Sequence, residues 1–294
     1  MPSRRHFLQW AGAGAAAALA AGRGLAAEPA PAKRRPAKAR SKRAYELGLA
    51  SYTFINFPLD QAIAMTKRVG LKHICLKGGQ KRYGPQPFHL ALESTPEQIA
   101  QAVAKVKAAG LDLYGGGVIG MHDRAEVEQA FAYAKAAGMR VIVGMPEPDV
   151  LPLVNEKVQE YNIRVAIHNH GPDVKFFRTP GEIYEKIQDL DHRVGVCMDI
   201  GHTMRAGVDP SQAALQVGDR LLDIHMKDVS GATKAGKTIE CGRGMIDIPK
   251  FFRTLDKIHY AGYVSFEFEK DANDPLPGLA ESVGYVRGVL AAMG

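Results

Sequence analysis

Four side chains able to hold a cation, His168, Asp199, His225 and Glu267, stand at matching places in four short apolar runs. The runs read IRVAIHNHG, VGVCMDIGH, LLDIHMKD and GYVSFEFEKD. If each run is a strand, alternate residues share a face. Ala166, His168 and His170 then align, as do Gly195, Cys197 and Asp199, then Asp223, His225 and Lys227, then Ser265, Glu267 and Glu269. Burying two carboxylates and two imidazoles together without a cation costs on the order of several kcal/mol in desolvation and like-charge repulsion. A divalent metal removes that penalty. A lone histidine at a strand end is usually hydrogen-bonded packing; four such groups at one height predict a ligand set.

Other polar residues gather around this set. In MDIGHTMRAG, Asp199 could ligate a metal, cap a helix or decorate a loop, and His202 follows three residues later. His202 could touch the cation, donate to a substrate oxygen or orient Asp199. A fifth protein ligand would fill the position that catalysis needs open, which favours the last two roles. Lys77 ends CLKGG, whose glycines leave room for a ligand. It could donate to a substrate hydroxyl, act as an acid if burial lowers its pKa, or be a plain surface lysine. His170 is a candidate for proton transfer and Glu269 for an alternative base. Lys227 and Asp228 predict an ion pair or a substrate contact beside His225, and Arg205 and Arg243 could bind sugar oxygens or a carboxylate.

These residues need a scaffold that brings strand ends together. From Leu47 onward eight apolar runs alternate with segments of helical period, among them 96–109, 123–137, 149–161, 180–187 and 248–258. Three helices end on KRVG, KAAG and KAAG, with Gly70, Gly110 and Gly138 as left-handed stops. Strand and helix alternating eight times predicts an α/β fold of the (β/α)8 TIM barrel type, with chemistry at the C-terminal strand ends. An open doubly wound sheet is the second choice. It calls for a glycine-rich phosphate turn after the first strand, and the glycines of YGGGV lack that spacing.

The 294 residues are 46% apolar, enough for one large barrel domain. The net charge of +7 is concentrated at one end. Residues 1–43 hold ten Lys or Arg and a single acid, Glu28, leaving the remainder with 28 basic and 30 acidic residues. The balance offers no basic surface for nucleic acid. Residues 1–27 have the parts of an export signal, and SRRHFL resembles the twin-arginine type, which carries folded proteins. The apolar run is too short and too rich in Ala and Gly to favour a stable membrane span. Residues 28–43 read as a Pro/Ala/basic linker, and 44–294 as the barrel. Cys75, Cys197 and Cys241 lack metal spacing and read as small core residues.

Taken together, IHNHG, MDIGHTMRAG, IHMKD, GRGMIDIPKFFRTL and GYVSFEFE resemble the xylose isomerase-like barrel superfamily of sugar isomerases and epimerases related to endonuclease IV. The resemblance runs from about Tyr45 to Gly294. It implies one metal, usually Mn²⁺, held by Glu, Asp, His and Glu, of which Asp199, His225 and Glu267 match the last three. His168 stands where the epimerases have a Glu that serves as one of two acid/base groups. That departure weakens two-base epimerisation and brings Zn²⁺, Co²⁺ or Fe²⁺ into competition. Endonuclease-like chemistry is disfavoured: strands two to four offer Lys77, Tyr114 and Met145 in place of histidines, and VSGATKAGKT after HMKD contains no His.

The resemblance implies a sugar isomerase or epimerase acting on a keto-sugar or polyol through an enediolate, with Glu267 as both ligand and base. A lyase, dehydratase or keto-glycoside-cleaving enzyme using the same α-proton abstraction is the nearest rival, since elimination needs only one base and one acid. A non-catalytic exported sugar-binding protein is the third reading. The expected partner is a small sugar, and homo-oligomerisation is left open.

Overall fold

The computed structural model describes residues 43–77 and 92–294. The expected export signal, the linker as far as residue 42 and the glycines after Lys77 lie outside the described residues. Eight parallel strands close into a barrel: β1 (Glu46–Ala50), β2 (His73–Leu76), β3 (Asp112–Met121), β4 (Val141–Pro146), β5 (Arg164–His168), β6 (Val194–Asp199), β7 (Leu221–Met226) and, eighth in the ring, β10 (Tyr263–Phe266). Between β7 and β10 the chain adds a small antiparallel ribbon, β8 (Asp228–Val229) paired with β9 (Thr238–Ile239). Adjacent barrel strands are also adjacent in sequence, and β1 closes against β10.

Helices pack outside the ring: α1 (Leu59–Arg68), α2 (Pro96–Ala108), α3 (Arg124–Ala136), α4 (Leu151–Tyr161), α5 (Pro180–Ile187), α6 (Ile200–Arg205), α7 (Pro210–Val217), α8 (Ile248–Lys257) and α9 (Leu276–Ala292). Their starts follow local chemistry. Thr95 and Gln98 form a capping box at α2, and Asp123, Thr179, Asp199, Asp209 and Asp247 each accept a backbone N–H at a helix start. The stops at Gly70, Gly110 and Gly138 have φ of 74°, 75° and 67°, as the sequence predicts. Asn162 ends α4 in the same region at φ 52°, a stop that the glycine rule does not find.

The apolar layer between helices and barrel forms the main core. A smaller cluster of Cys75, Tyr114, Val141, Val143, Ala166 and Cys197 fills the barrel interior. All three cysteines are free and buried, as expected of small core residues. Below the mouth, the buried Asp223 accepts from the Tyr114 hydroxyl at 3.1 Å, and that hydroxyl lies 2.5 Å from Ser265 Oγ. Burial pushes the Asp223 carboxyl up to about 7, against opposing contributions from His225, Ile224 N–H and Tyr114.

Candidate metal centre

Register places the four candidate ligands around one side of the mouth. His168 pairs with Cys197 across β5 and β6, Asp199 with His225 across β6 and β7, and His225 with Ser265 across β7 and β10. Glu267 follows β10 by one residue and lies on the Ser265 face, one pleat further out. Ligand atoms of His168, Asp199, His225 and Glu267 all lie within 4.8 Å of one another, and all four residues are buried. The sequence-level convergence is therefore present in the fold.

Asp199 divides its two oxygens between structure and site. Oδ1 accepts the N–H of His202 at 2.7 Å and caps α6. Oδ2 lies 2.8 Å from Lys227 Nζ as an ion pair, yet receives no well-directed hydrogen bond. His225 Nδ1 sits 2.9 Å from His168 Nε2 and 3.0 Å from Glu267 Oε2, while its Nε2 is buried without a hydrogen-bond partner among the described residues. Lone-pair atoms crowded this closely, one of them a carboxylate oxygen without a directed donor, fit a divalent cation.

Electrostatics agree with that fit. Burial pushes His168 down to about 3, so the ring is neutral. Burial, the largest single influence, would raise Asp199 and Glu267, but Lys227, His202 and His168 together outweigh it at Asp199, as His225, Lys227 and His168 do at Glu267, and both carboxyls stay well below their usual range. Lys227 is only 1% exposed and lies 2.8 Å from Asp199 Oδ2, 2.8 Å from Glu267 Oε2 and 3.2 Å from Glu269 Oε2. Burial favours its neutral form, but the three carboxylates overcome this and hold the ammonium well above its ordinary pKa. Three carboxylates face one ammonium, and a divalent cation matches the remainder.

Residues outside the ligand set shape its surroundings. The buried Asn169 accepts the Asp199 N–H at 3.0 Å and donates to Thr203 Oγ1 at 3.1 Å, tying the end of β5 to the start of α6. A Cβ on Gly201 would lie 2.5 Å from Lys227 Cγ and 2.7 Å from Cδ, so this glycine lets the lysine reach the carboxylates. Asn169 and Gly201 went unnoticed in the sequence because neither carries a charge. Tyr52 was also missed. SYTF leaves β1 as a 3-10 turn, and Tyr52 stands 40% exposed. Partial burial and the charges of Glu269 and Glu267 raise its hydroxyl pKa.

The remaining candidates are brought to the same end of the barrel in different ways. His170 Nδ1 lies 3.2 Å from His168 Nδ1, and burial, then His202, lowers its pKa. Lys77 donates to the Val118 carbonyl at 2.6 Å from β2, across the barrel from β6, and burial lowers its pKa. Glu269 is 30% exposed. His202, Arg205, Lys227 and Glu269 line a cavity of about 380 Å³. The expected pairing or substrate contact of Asp228 is corrected. Adjacent residues of an extended chain point to opposite faces, and Asp228 instead accepts from the N–H groups of Val229, Gly242, Gly244 and Ile246 at 2.8, 2.9, 3.0 and 3.2 Å. It anchors the segment 242–246 that follows β9. Arg243 is held by Glu281 through two contacts of 2.5 and 2.7 Å.

Comparison with known proteins decides the family. Residues 63–289 match the model of the xylose isomerase-like TIM barrel. The chain belongs to that family. Residues 1–21 match the twin-arginine translocation signal sequence, which supports export by that pathway and implies the periplasm. No helix among the described residues is long and apolar enough to cross a membrane. Among curated relatives, a rhizopine catabolism protein of Rhizobium meliloti is 26% identical over 145 residues, 44% of each chain. An inosose dehydratase of Geobacillus kaustophilus is 26% identical over 145 residues, 44% of this chain and 45% of its own. The matched segment thus spans less than half the length of these relatives. Solved structures share the fold. An L-ribulose 3-epimerase is 16% identical with a TM-score of 0.66 over 84% of this chain and 95% of its own. A xylose isomerase domain protein from Planctomyces limnophilus is 18% identical with a TM-score of 0.66 over 84% and 97%. These relatives and neighbours thus include an epimerase and a dehydratase.

Proposed function

We propose that the protein is a metal-dependent enzyme that removes the proton next to the carbonyl of a keto-sugar or keto-polyol, with elimination of a β-oxygen as the favoured outcome. The observation that carries this reading is the one-sided placement of the bases. Glu267 and Glu269 both follow β10, whereas β5 contributes His168, a neutral imidazole buried within the ligand set. Held by His168, Asp199, His225 and Glu267, a divalent cation would polarise the carbonyl and stabilise negative charge on its oxygen. The set of two imidazoles and two carboxylates accepts Mn²⁺ through its oxygens, and its nitrogens bring Zn²⁺, Co²⁺ or Fe²⁺ into competition.

Glu267 takes the α-proton, its carboxylate kept ionised by His225 and Lys227, with Glu269 one pleat outward as the alternative base. A carbon–carbon double bond forms from the C–H electrons. The β C–O bond breaks with its electrons going to oxygen, and Lys77, whose pKa is lowered by burial, supplies the proton to the departing group. Water or an alcohol leaves, depending on the substituent.

Isomerisation or epimerisation shares the first step and is the second reading. Lys77 supports it, since it brings a second group able to carry a proton from β2, a different strand from the one that Glu267 follows. Incubating the Mn²⁺-loaded protein with a panel of keto-sugars and keto-inositols in D₂O tests both. Elimination gives an unsaturated product lighter by water or alcohol, and isomerisation gives a deuterated isomer of the substrate. Chelator-insensitive sugar binding without deuterium uptake would overturn both and leave a binding protein.

A further inference from the structure

Arg205, expected from the sequence to contact substrate, is engaged within the protein. Its Nη1 lies 2.7 Å from Asp173 Oδ2 and 3.1 Å from His202 Nδ1, and its Nη2 donates to the Lys234 carbonyl at 2.8 Å. One side chain, 15% exposed, thereby ties the turn after β5, helix α6 and the loop between β8 and β9.

The contact with His202 has a chemical consequence. A guanidinium carries only donors and does not release its proton in a protein. The imidazole nitrogen facing it must present a lone pair, which leaves the single ring N–H on Nε2. The ring stands beside the proposed metal ligands, with centroids 6.0 Å from His168 and 5.6 Å from His170, and lines the cavity that also contains Lys227 and Glu269. Gly171 makes room for it: at φ 65° a Cβ there would lie 2.8 Å from the His202 carbonyl oxygen and 3.3 Å from its Cβ.

We propose that Arg205 is a positioning residue that, by donating to Nδ1, fixes the His202 ring as an Nε2–H donor toward a substrate oxygen, and that His202 moves no proton in the reaction. Nδ1 cannot accept a proton while it faces a cation, and loss of the Nε2 proton would leave an imidazolate. What the ring can do is donate a hydrogen bond that strengthens as charge grows on the oxygen, at no cost of reorganisation. This role rests on the reading that such charge develops at the site, whereas the tautomer can be observed without turnover.

The test is long-range ¹H–¹⁵N correlation of the full, Mn²⁺-free, Zn²⁺-loaded chain labelled at histidine, with the His202 signals assigned by their loss in His202→Gln. The wild-type ring is expected as the Nε2–H tautomer. Arg205→Met should give mixed tautomers and lower kcat about tenfold with KM changed by less than about threefold, and Arg205→Lys, which keeps a cationic donor, should restore most of the rate. A wild-type ring protonated on Nδ1 or on both nitrogens would overturn the proposal, and this measurement requires no variant to fold. An Arg205→Met protein with unchanged tautomer and kcat would overturn it as well. An Nε2–H ring in a protein that turns over no keto-sugar would sink the proposed reaction while supporting the placement of His202.

Discussion

Lys227→Met should convert a fold that tolerates metal loss into one that depends on metal. In the wild type the ammonium lies 2.8 Å from Asp199 Oδ2 and Glu267 Oε2, within a site where all three groups are at most 5% exposed. Removing one partner of a buried ion pair costs about 3–5 kcal/mol because the other charge is left uncompensated. Glu269 adds little to this, being 30% exposed and screened by solvent. With a divalent cation bound, the carboxylates recover a counter-charge, and the loss should fall to the hydrogen bonds alone, about 1–2 kcal/mol. Linkage turns the difference, roughly 2–3 kcal/mol, into metal binding that is about 30- to 150-fold tighter in the variant. Urea unfolding with chelator and with saturating Mn²⁺ measures the two stabilities, and competition with a chelating indicator measures the affinity. A chelated variant as stable as the chelated wild type, or one that binds Mn²⁺ more weakly, would refute the assignment of Lys227 as internal counter-ion.

Asp228→Asn should cost about 2 kcal/mol and expose residues 242–246 to limited proteolysis, because an amide NH₂ would face backbone donors that now point at a carboxylate. Unchanged cleavage would argue against the anchoring role. His168→Glu should shift metal preference toward Mn²⁺ over Zn²⁺ by about tenfold in competition titrations, since carboxylate favours the harder ion; no shift would remove His168 from the ligand set. Asp223→Asn tests the buried acid. With its carboxyl at about 7 in the fold, the wild type keeps a proton that the unfolded chain releases near pH 3.9. The contribution of the protonated acid is therefore fully present below the unfolded pKa and is lost as pH rises toward about 7, levelling above it. Relative to Asp223→Asn at constant metal, the wild type should weaken by on the order of a few kcal/mol over that window in urea titrations. A parallel pH dependence in the two proteins would contradict the shift.

The strand ends were legible because period-two alternation assigns a face to each residue without reference to its partners. That rule carried His168, Asp199, His225, Glu267 and Lys227 to one mouth. It also forbids the pairing of Lys227 with Asp228, an inference that nearness in sequence obscured. Asn169 was illegible for a different reason. An amide that joins two strand ends by hydrogen bonds has no charge, period or spacing to mark it until the fold brings β5 beside β6. The eighth barrel strand was readable as a run, but the ribbon before it was not, since two-residue strands lie below any periodicity.

The centre is organised by bonds among protein atoms other than the proposed ligand atoms. Asp199 Oδ1 is committed to the first turn of α6, so the direction of Oδ2 follows from the helix. Asn169 fixes the same backbone from the β5 side, and Lys227 can approach only because position 201 lacks a Cβ. The metal therefore has no need to fold the site, in contrast to structural zinc sites, where binding energy is folding energy. An export route that accepts folded chains is compatible with either order of folding and loading. What the internal ammonium contributes is a folded chain that can wait for its metal, at the cost of a cation that every incoming metal must displace electrostatically.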